Sequence, residues 1–188
     1  MVKIECWRDI DLDLGRFRIG LDAGDRVYTG WHQLGPIPTG GREVPDLRPD
    51  LVDWILAIDA GSRRPPPRFR LPDGPPFYRA CWRACRDLPA GRLWTYRDLA
   101  VAAGRPDAAR AAGSAMRHNP TPLLVPCHRI LPASGGPGGF AGRTAADDPA
   151  VDLKRNLLKR GGYSRVVQPG GGILLRPGNG LEPPSYEW

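Results

Sequence analysis

Long apolar runs are missing from this chain. The longest, Leu51 to Ala60, is interrupted by Asp53 and Asp59 and cannot span a bilayer. No basic segment followed by an apolar one opens the sequence, so no secretory leader and no membrane association are expected. A reduced, cytoplasmic protein follows from that reading. Cysteine is scarce, with four residues at 6, 81, 85 and 127, and these need not form two disulfides. Histidine is scarcer, with three residues at 32, 118 and 128, too scattered to complete a set of metal ligands. Neither a metal nor any other cofactor is therefore expected. Internal repeats are absent. The 24 glycines and 22 prolines show no collagen-like period, so they read as loops and turns.

Basic charge is abundant. Lysine and arginine number 27 against 20 acidic residues, a net charge of +7. That balance suits a polyanionic partner such as nucleic acid, and it also suits plain solubility. The 188 residues, 41% of them hydrophobic, suffice for one domain or two small ones.

Alternation over Lys3–Trp7, Phe17–Leu21 and Arg26–Trp31 predicts three short strands in an antiparallel meander. Gly35–Arg48 reads as loop. Leu51, Trp54, Ile55 and Ile58 stand at helical spacing, so residues 50–60 are expected to form an amphipathic helix. A Pro- and Arg-rich connector follows, with a short strand at 68–71. The domain boundary is placed at residues 73–74. Phe77–Leu88 is expected to be a helix burying Cys81 and Cys85. Thr95 is read as the N-cap of a helix over 96–103, and Asp107 as the cap of another over 108–117. Together they make a helix-turn-helix. The second helix is a run of small residues, Ala108, Ala109, Arg110, Ala111, Ala112, Gly113 and Ser114. Such a helix can approach either a protein core or a DNA groove closely. A late helix starts at Asp148-Pro149. A terminal hairpin is expected across 168–171, with a loose tail over 177–188.

Chemistry concentrates at Leu124-Val125-Pro126-Cys127-His128-Arg129-Ile130. A thiol beside an imidazole and a guanidinium can ionise near neutral pH, because positive charge stabilises the thiolate. Read as extended chain, the segment sends Cys127 and His128 to opposite faces, so a water or a local bend would have to link them. That weighs against a hydrolase in which base and nucleophile meet directly.

Pro126-Cys127-His128-Arg129-Ile130 resembles the active-site signature of the O6-alkylguanine-DNA alkyltransferases, or methylated-DNA–protein-cysteine methyltransferases. The resemblance covers roughly residues 74–162. It takes in Gly74-Pro75-Pro76-Phe77, Trp82, Leu88-Pro89-Ala90-Gly91, Tyr96-Arg97-Asp98-Leu99-Ala100, Ala109–Gly113, Asn119-Pro120, Gly138–Gly142 and Leu157-Leu158, in the family's order and spacing. It implies an α/β protein: a small N-terminal antiparallel-sheet domain (1–73) and a C-terminal helix-turn-helix, winged-helix-like alkyltransferase domain (74–176). It further implies a metal-free methylated-DNA–[protein]-cysteine S-methyltransferase of one turnover. Cys127 would take the alkyl group, with His128 as its base through a water. Arg110 would fill the stack vacated by a flipped guanine, and Tyr96 would orient the base. The small helix, with Ala109, Ala111 and Gly113, would enter the minor groove of double-stranded DNA. Asn119, Pro126 and Arg129 would support the turn. A monomer is expected.

Two positions depart from the family's pattern. Gly161 stands where a glutamate usually precedes a glycine, and Ala141 where a serine is common. Asp147, Asp148 and Asp152 lie in a loop that looks longer than usual and are candidates to replace the carboxylate. The rival functions are a degenerate alkyltransferase-like protein that binds DNA damage, and a relative that takes its group from a small molecule. Cys127 argues against the first rival and Gly161 for it.

Overall fold

A computed structural model describes residues 3–34, 37–134, 136–167 and 173–177, the last two strands beyond Tyr163 by backbone alone. The meander forms as the alternation predicts. β1 (Ile4–Leu12), β2 (Gly15–Asp22) and β3 (Val27–Trp31) pair antiparallel in turn. Phe17, Ile19, Val27 and Trp31 are buried from one face, and the Phe17 and Trp31 rings meet edge to face at 4.8 Å. This face is capped by α1 (Pro49–Asp59), which buries Leu51, Val52, Trp54 and Ile55.

The segment expected to be loop contributes a fourth strand. β4 (Arg42–Glu43) lies parallel to β1, giving the order β3-β2-β1-β4. Both of its side chains are exposed, so no hydrophobic pattern announces it. Gly41 admits the approach: its φ is +66°, and a Cβ there would run into the Glu5 carbonyl group. The connector's predicted short strand is reduced to a single parallel bridge between Arg26 and Arg70, with Val27 N donating to Arg70 O at 2.9 Å.

The second half begins with α2 (Pro76–Arg86), which buries Cys81, Trp82 and Cys85. A two-residue strand β5 (Trp94–Thr95) leads into α3 (Tyr96–Ala102). Thr95 caps α3 reciprocally: its hydroxyl accepts from Asp98 N at 3.1 Å, and Asp98 accepts from Thr95 N at 2.8 Å. α4 (Ala109–Arg117) completes the helix-turn-helix. Asp107 does not cap it. Ala108 is the N-cap and offers no side-chain bond, because a turn closed by Ala108 N on Arg105 O (3.0 Å) leaves Asp107 exposed inside the turn.

β6 (Ile130–Leu131) pairs parallel with β5, α5 (Pro149–Arg160) follows, and β7 (Tyr163–Val167) pairs antiparallel with β8 (Ile173–Pro177). Asp148 caps α5 through Ala150 N at 2.8 Å, with Pro149 in the first turn. The turn joining β7 and β8, and residues 178–188, lie outside the described residues.

One apolar cluster runs from the sheet through α2, α4 and the Cys127 segment to α5. Polar links cross with it. Thr29 donates to Pro120 O from its backbone (3.0 Å) and to Pro122 O from its hydroxyl (2.8 Å). Arg160 at the end of α5 pairs with Asp59 at 2.7 Å and Asp13 at 3.3 Å. Packing therefore runs straight across residues 73–74.

α4 is held from behind by α2, since Trp82 Nε1 donates to Ala115 O at 2.8 Å in a buried contact. Trp82→Phe would leave that carbonyl without its donor. It should destabilise the chain by about 1–3 kcal/mol, read as a lower denaturant midpoint with an unchanged slope.

Candidate active site

The site starts from Asn119, just past the end of α4. Its Nδ2 donates to Val125 O at 2.9 Å, and its Oδ1 accepts from Thr121 N at 3.0 Å and Thr121 Oγ1 at 3.2 Å. One amide thus closes the loop that delivers the cysteine. The loop is tight enough to hold Leu123 at φ +69°, a conformation few side chains accept. Pro126 (φ −77°, ψ 62°) then makes an inverse γ-turn, with Cys127 N donating to Val125 O at 2.7 Å. Cys127–Arg129 follows as a single 3₁₀ turn, not as extended chain. The bend at Pro126 is the reason, so Cys127 and His128 are not set on opposite faces of a strand.

Arg129 lies far from an open surface role. Its guanidinium donates to Arg92 O (2.7 Å), Leu88 O (3.3 Å) and Pro89 O, all just beyond the end of α2. It ties the reactive turn to the loop before β5.

Cys127 and His128 are each 7% exposed. Burial pushes the Cys127 thiol up, while the Asn119 amide and the Lys154 ammonium pull it back. Burial pushes His128 down to about 3, helped by the positive charges of Arg129 and Lys154. The imidazole is therefore neutral at ordinary pH. Neither ring nitrogen has a hydrogen-bond partner among the described residues, and Nδ1 is fully buried. The buried cation, Lys154, is one the sequence reading missed. It is 1% exposed and donates to Ile130 O at 2.8 Å and Gly139 O at 3.3 Å. Burial lowers it to about 8. The signal was there: Lys154 stands three residues after Val151 and four before Leu158, on the apolar stripe of α5.

Tyr96 opens α3 beside α4. A Cβ on Gly113 would rest 3.8 Å from the Tyr96 ring. Burial, then the Cys127 and Cys85 sulfurs, push the Tyr96 phenol up to about 12, so it stays a hydrogen-bond donor. The fold thus gathers Tyr96, Gly113 and Cys127 on one side. On α4, Ala112, Ala115 and Met116 are buried, Ala109 and Ala111 half-buried, and Arg110 exposed. Ala141, in the glycine-rich loop, is exposed at φ +49°.

Among the described residues no carboxylate answers His128. Asp148 is engaged as the α5 cap and with Arg143 at 3.4 Å, Asp152 pairs with Arg155 at 2.6 Å, and Asp147 is exposed. Gly161 has φ −67°, which any residue adopts, but a Cβ there would meet the Tyr163 ring at 2.7 Å. His128, Gly161 and Tyr163 line one cavity of about 690 Å³ between the connector and α5. Among the described residues no three His, Cys, Asp or Glu gather as metal ligands, and no helix is long and apolar enough to cross a membrane.

A neutral buried histidine makes stability fall in acid, alongside the carboxylates of Asp9, Asp22 and Asp50, which their partners hold low. The unfolded chain protonates His128 near 6.5, the folded one only near 3. Between those values the unfolded state holds the extra proton, so stability is full above the window and lost as pH falls through it. Urea midpoints from pH 7 to 4 should fall, and His128→Gln should flatten that fall; an equally steep fall in the variant would reject the assignment.

Comparison with known proteins points one way. The sequence profile of the 6-O-methylguanine DNA methyltransferase DNA-binding domain matches residues 76–163. A methylated-DNA–protein-cysteine methyltransferase of Salmonella typhimurium is 42% identical over 90 residues, covering 48% of each chain, so against this relative the match spans about half its length. The one from Mycolicibacterium paratuberculosis is 41% identical over 159 residues, covering 81% of this chain and 89% of the relative. Among solved structures, the Mycobacterium tuberculosis O6-methylguanine methyltransferase superposes with a TM-score of 0.69 at 30% identity, covering 86% of this chain and 93% of that one. The same organism's protein in complex with DNA gives 0.70 at 28% identity, covering 83% and 92%. With nearly the whole of two such relatives matched, the chain belongs to the methylated-DNA–protein-cysteine methyltransferase family.

Proposed function

We propose that the protein repairs DNA directly, by moving an alkyl group from guanine O6 to Cys127, once per polypeptide. The observation that carries this is a buried thiol in a fixed 3₁₀ turn, next to a neutral imidazole and on the Tyr96–Gly113 side of the helix-turn-helix.

The site residues divide the task. The Cys127 proton passes to His128, directly or through a water, and His128 is free to accept it because it is neutral. The sulfur attacks the alkyl carbon; a C–S bond forms and the C–O6 bond breaks. The electron pair stays with the base, and the proton lost by the thiol ends on guanine. Lys154 lowers the energy of the thiolate that this requires. Tyr96, still a phenol, donates to the departing base. The resulting thioether is unactivated, and the described residues offer no group to cleave it.

The partner is double-stranded DNA. The target base is stacked in duplex and must be flipped out to reach a thiol this buried. α4 offers what a minor-groove element needs: a backbone with few side-chain obstacles and, in its first turn, the exposed cation Arg110 to fill the gap, with Arg117 exposed at its other end. The relative crystallised with DNA supports the same reading. The protein acts as a monomer, without a cofactor, in the cytoplasm.

Intact-mass spectrometry after incubation with O6-methylguanine duplex should show one added methyl group, and peptide mapping should place it on Cys127. A methyl group on Cys6, Cys81 or Cys85 would refute the assignment. Cys127→Ser should keep its DNA affinity, because backbone contacts lie on other residues.

Arg110→Ala should slow transfer from duplex far more than from free O6-methylguanine, since only the duplex has a base to unstack, at a few kcal/mol. Single-turnover rates on both substrates decide it. Equal slowing on the two would assign Arg110 elsewhere.

A further inference from the structure

The cavity behind His128 is more basic than the transfer reaction requires. Six arginines line it, with Asp87 as the one acidic residue of the lining. Asp87 is taken by Arg86 at 2.8 Å, and Arg160 is neutralised by Asp59 and Asp13. Arg63, Arg64, Arg68 and Arg129 have no carboxylate partner among the described residues. Arg64 and Arg129 are bonded to backbone carbonyls, which carry no counter-charge, so the rim of the cavity, with Arg63, Arg64 and Arg68 exposed, is positive and attracts an anion.

His128 reaches the same cavity, 93% buried by the complement of its 7% exposure, with both ring nitrogens unpartnered. A buried ring N–H without an acceptor is a standing penalty that an acceptor removes. The Arg63 guanidinium sits against Gly162, in the space a Cβ would take, and lines the same cavity as Gly161 and His128. The lining also has an apolar part: Trp54, Ile58, Phe69 and the Pro65–Pro67 run. The volume, about 690 Å³, is in the range of small-molecule sites.

An occupant that fits has an anionic head and an apolar body. A planar two-oxygen head matches a guanidinium fork. A dianionic phosphate would lose more hydration against these apolar walls. We propose that the cavity binds a small organic carboxylate, whose head accepts from His128 and pairs with Arg63 while its body lies against Trp54 and Phe69.

Binding has a consequence, which rests on the alkyl-transfer reading above. A carboxylate on one ring nitrogen fixes the tautomer, leaving the lone pair of the other free for the Cys127 proton. Its charge also offsets Arg129 and Lys154, the two cations that work with burial against a protonated His128. The ligand is then an activator of the thiol, supplied from outside the chain.

The test separates binding from transfer. Full-length protein labelled with ¹⁵N-histidine is titrated with sodium benzoate, at constant ionic strength and without DNA. A saturable shift of the His128 ring nitrogens is expected, and Arg63→Ala should weaken it about tenfold, as loss of one charge-assisted bond predicts. No saturable shift, or the same shift from chloride or inorganic phosphate, overturns the site. Saturating benzoate should also raise the single-turnover rate at pH 7; transfer that proceeds unchanged with benzoate bound overturns the activating role. Benzoate binding by a protein that transfers no alkyl group under any condition refutes the reaction and upholds the site.

Discussion

The ammonium of Lys154 holds the reactive centre together. It is 1% exposed and spends two of its protons on Ile130 O and Gly139 O. Removing a cation from water is costly unless its protons are matched, and carbonyl oxygens match them without adding charge. Ile130 directly follows the 3₁₀ turn of Cys127, and Gly139 belongs to the glycine-rich loop. One side chain of α5 therefore fixes the turn and the loop against each other. The position of Cys127 then depends on three anchors: Lys154 after the turn, Asn119 before it, and Arg129 within it, bonded to the loop beyond α2. All three bind backbone carbonyls, so they set where the chain runs and leave the imidazole uncommitted; Asn119 also reaches the thiol.

The elements legible in the sequence are those whose cause is local. The strand alternation, the amphipathic α1, the Thr95 cap and the Pro149 start are each decided within a few residues. Thr95 and Asp98 satisfy each other whatever the rest of the chain does. Cys127 and His128 were legible as a pair, and the ordered blocks around them carried the family. Elements with distant causes stayed hidden. β4 has two exposed residues and exists because Gly41 lets its strand pass the Glu5 carbonyl. The 3₁₀ turn at Cys127 follows from the ψ angle of Pro126, and proline constrains φ, not ψ. Asp107 looked like a cap because it precedes an alanine run, yet a turn from Arg105 to Ala108 uses up its position.

Lys154 and the cavity were missed for different reasons. A lysine on an apolar stripe is an anomaly in the pattern, and in α5 it marks a buried cation. The cavity has no such mark. Its walls come from the connector, the end of α2, the reactive turn and α5, segments separated by up to a hundred positions. Each arginine is unremarkable in sequence, and only the fold shows four of them without a carboxylate among the described residues.

The charge state of the resting centre decides how it can react. Burial raises the Cys127 thiol and lowers His128, so the resting pair is a neutral thiol beside a neutral imidazole. The thiolate–imidazolium pair is thus not stored in the free protein, unlike the pre-ionised thiols of exposed redox sites. On the proposed reaction the ion pair forms as the alkyl group moves, and there it is short-lived: sulfur loses its charge to the new C–S bond, and the proton goes on to the base. Only groups that favour the charges in passing can speed such a step. Lys154 does so for sulfur. For the imidazolium the described residues supply the opposite, since Arg129 and Lys154 both disfavour it and no acidic side chain among them reaches it. The deficit is one negative charge, located at His128, and the cavity that opens there is lined by guanidinium groups able to hold one.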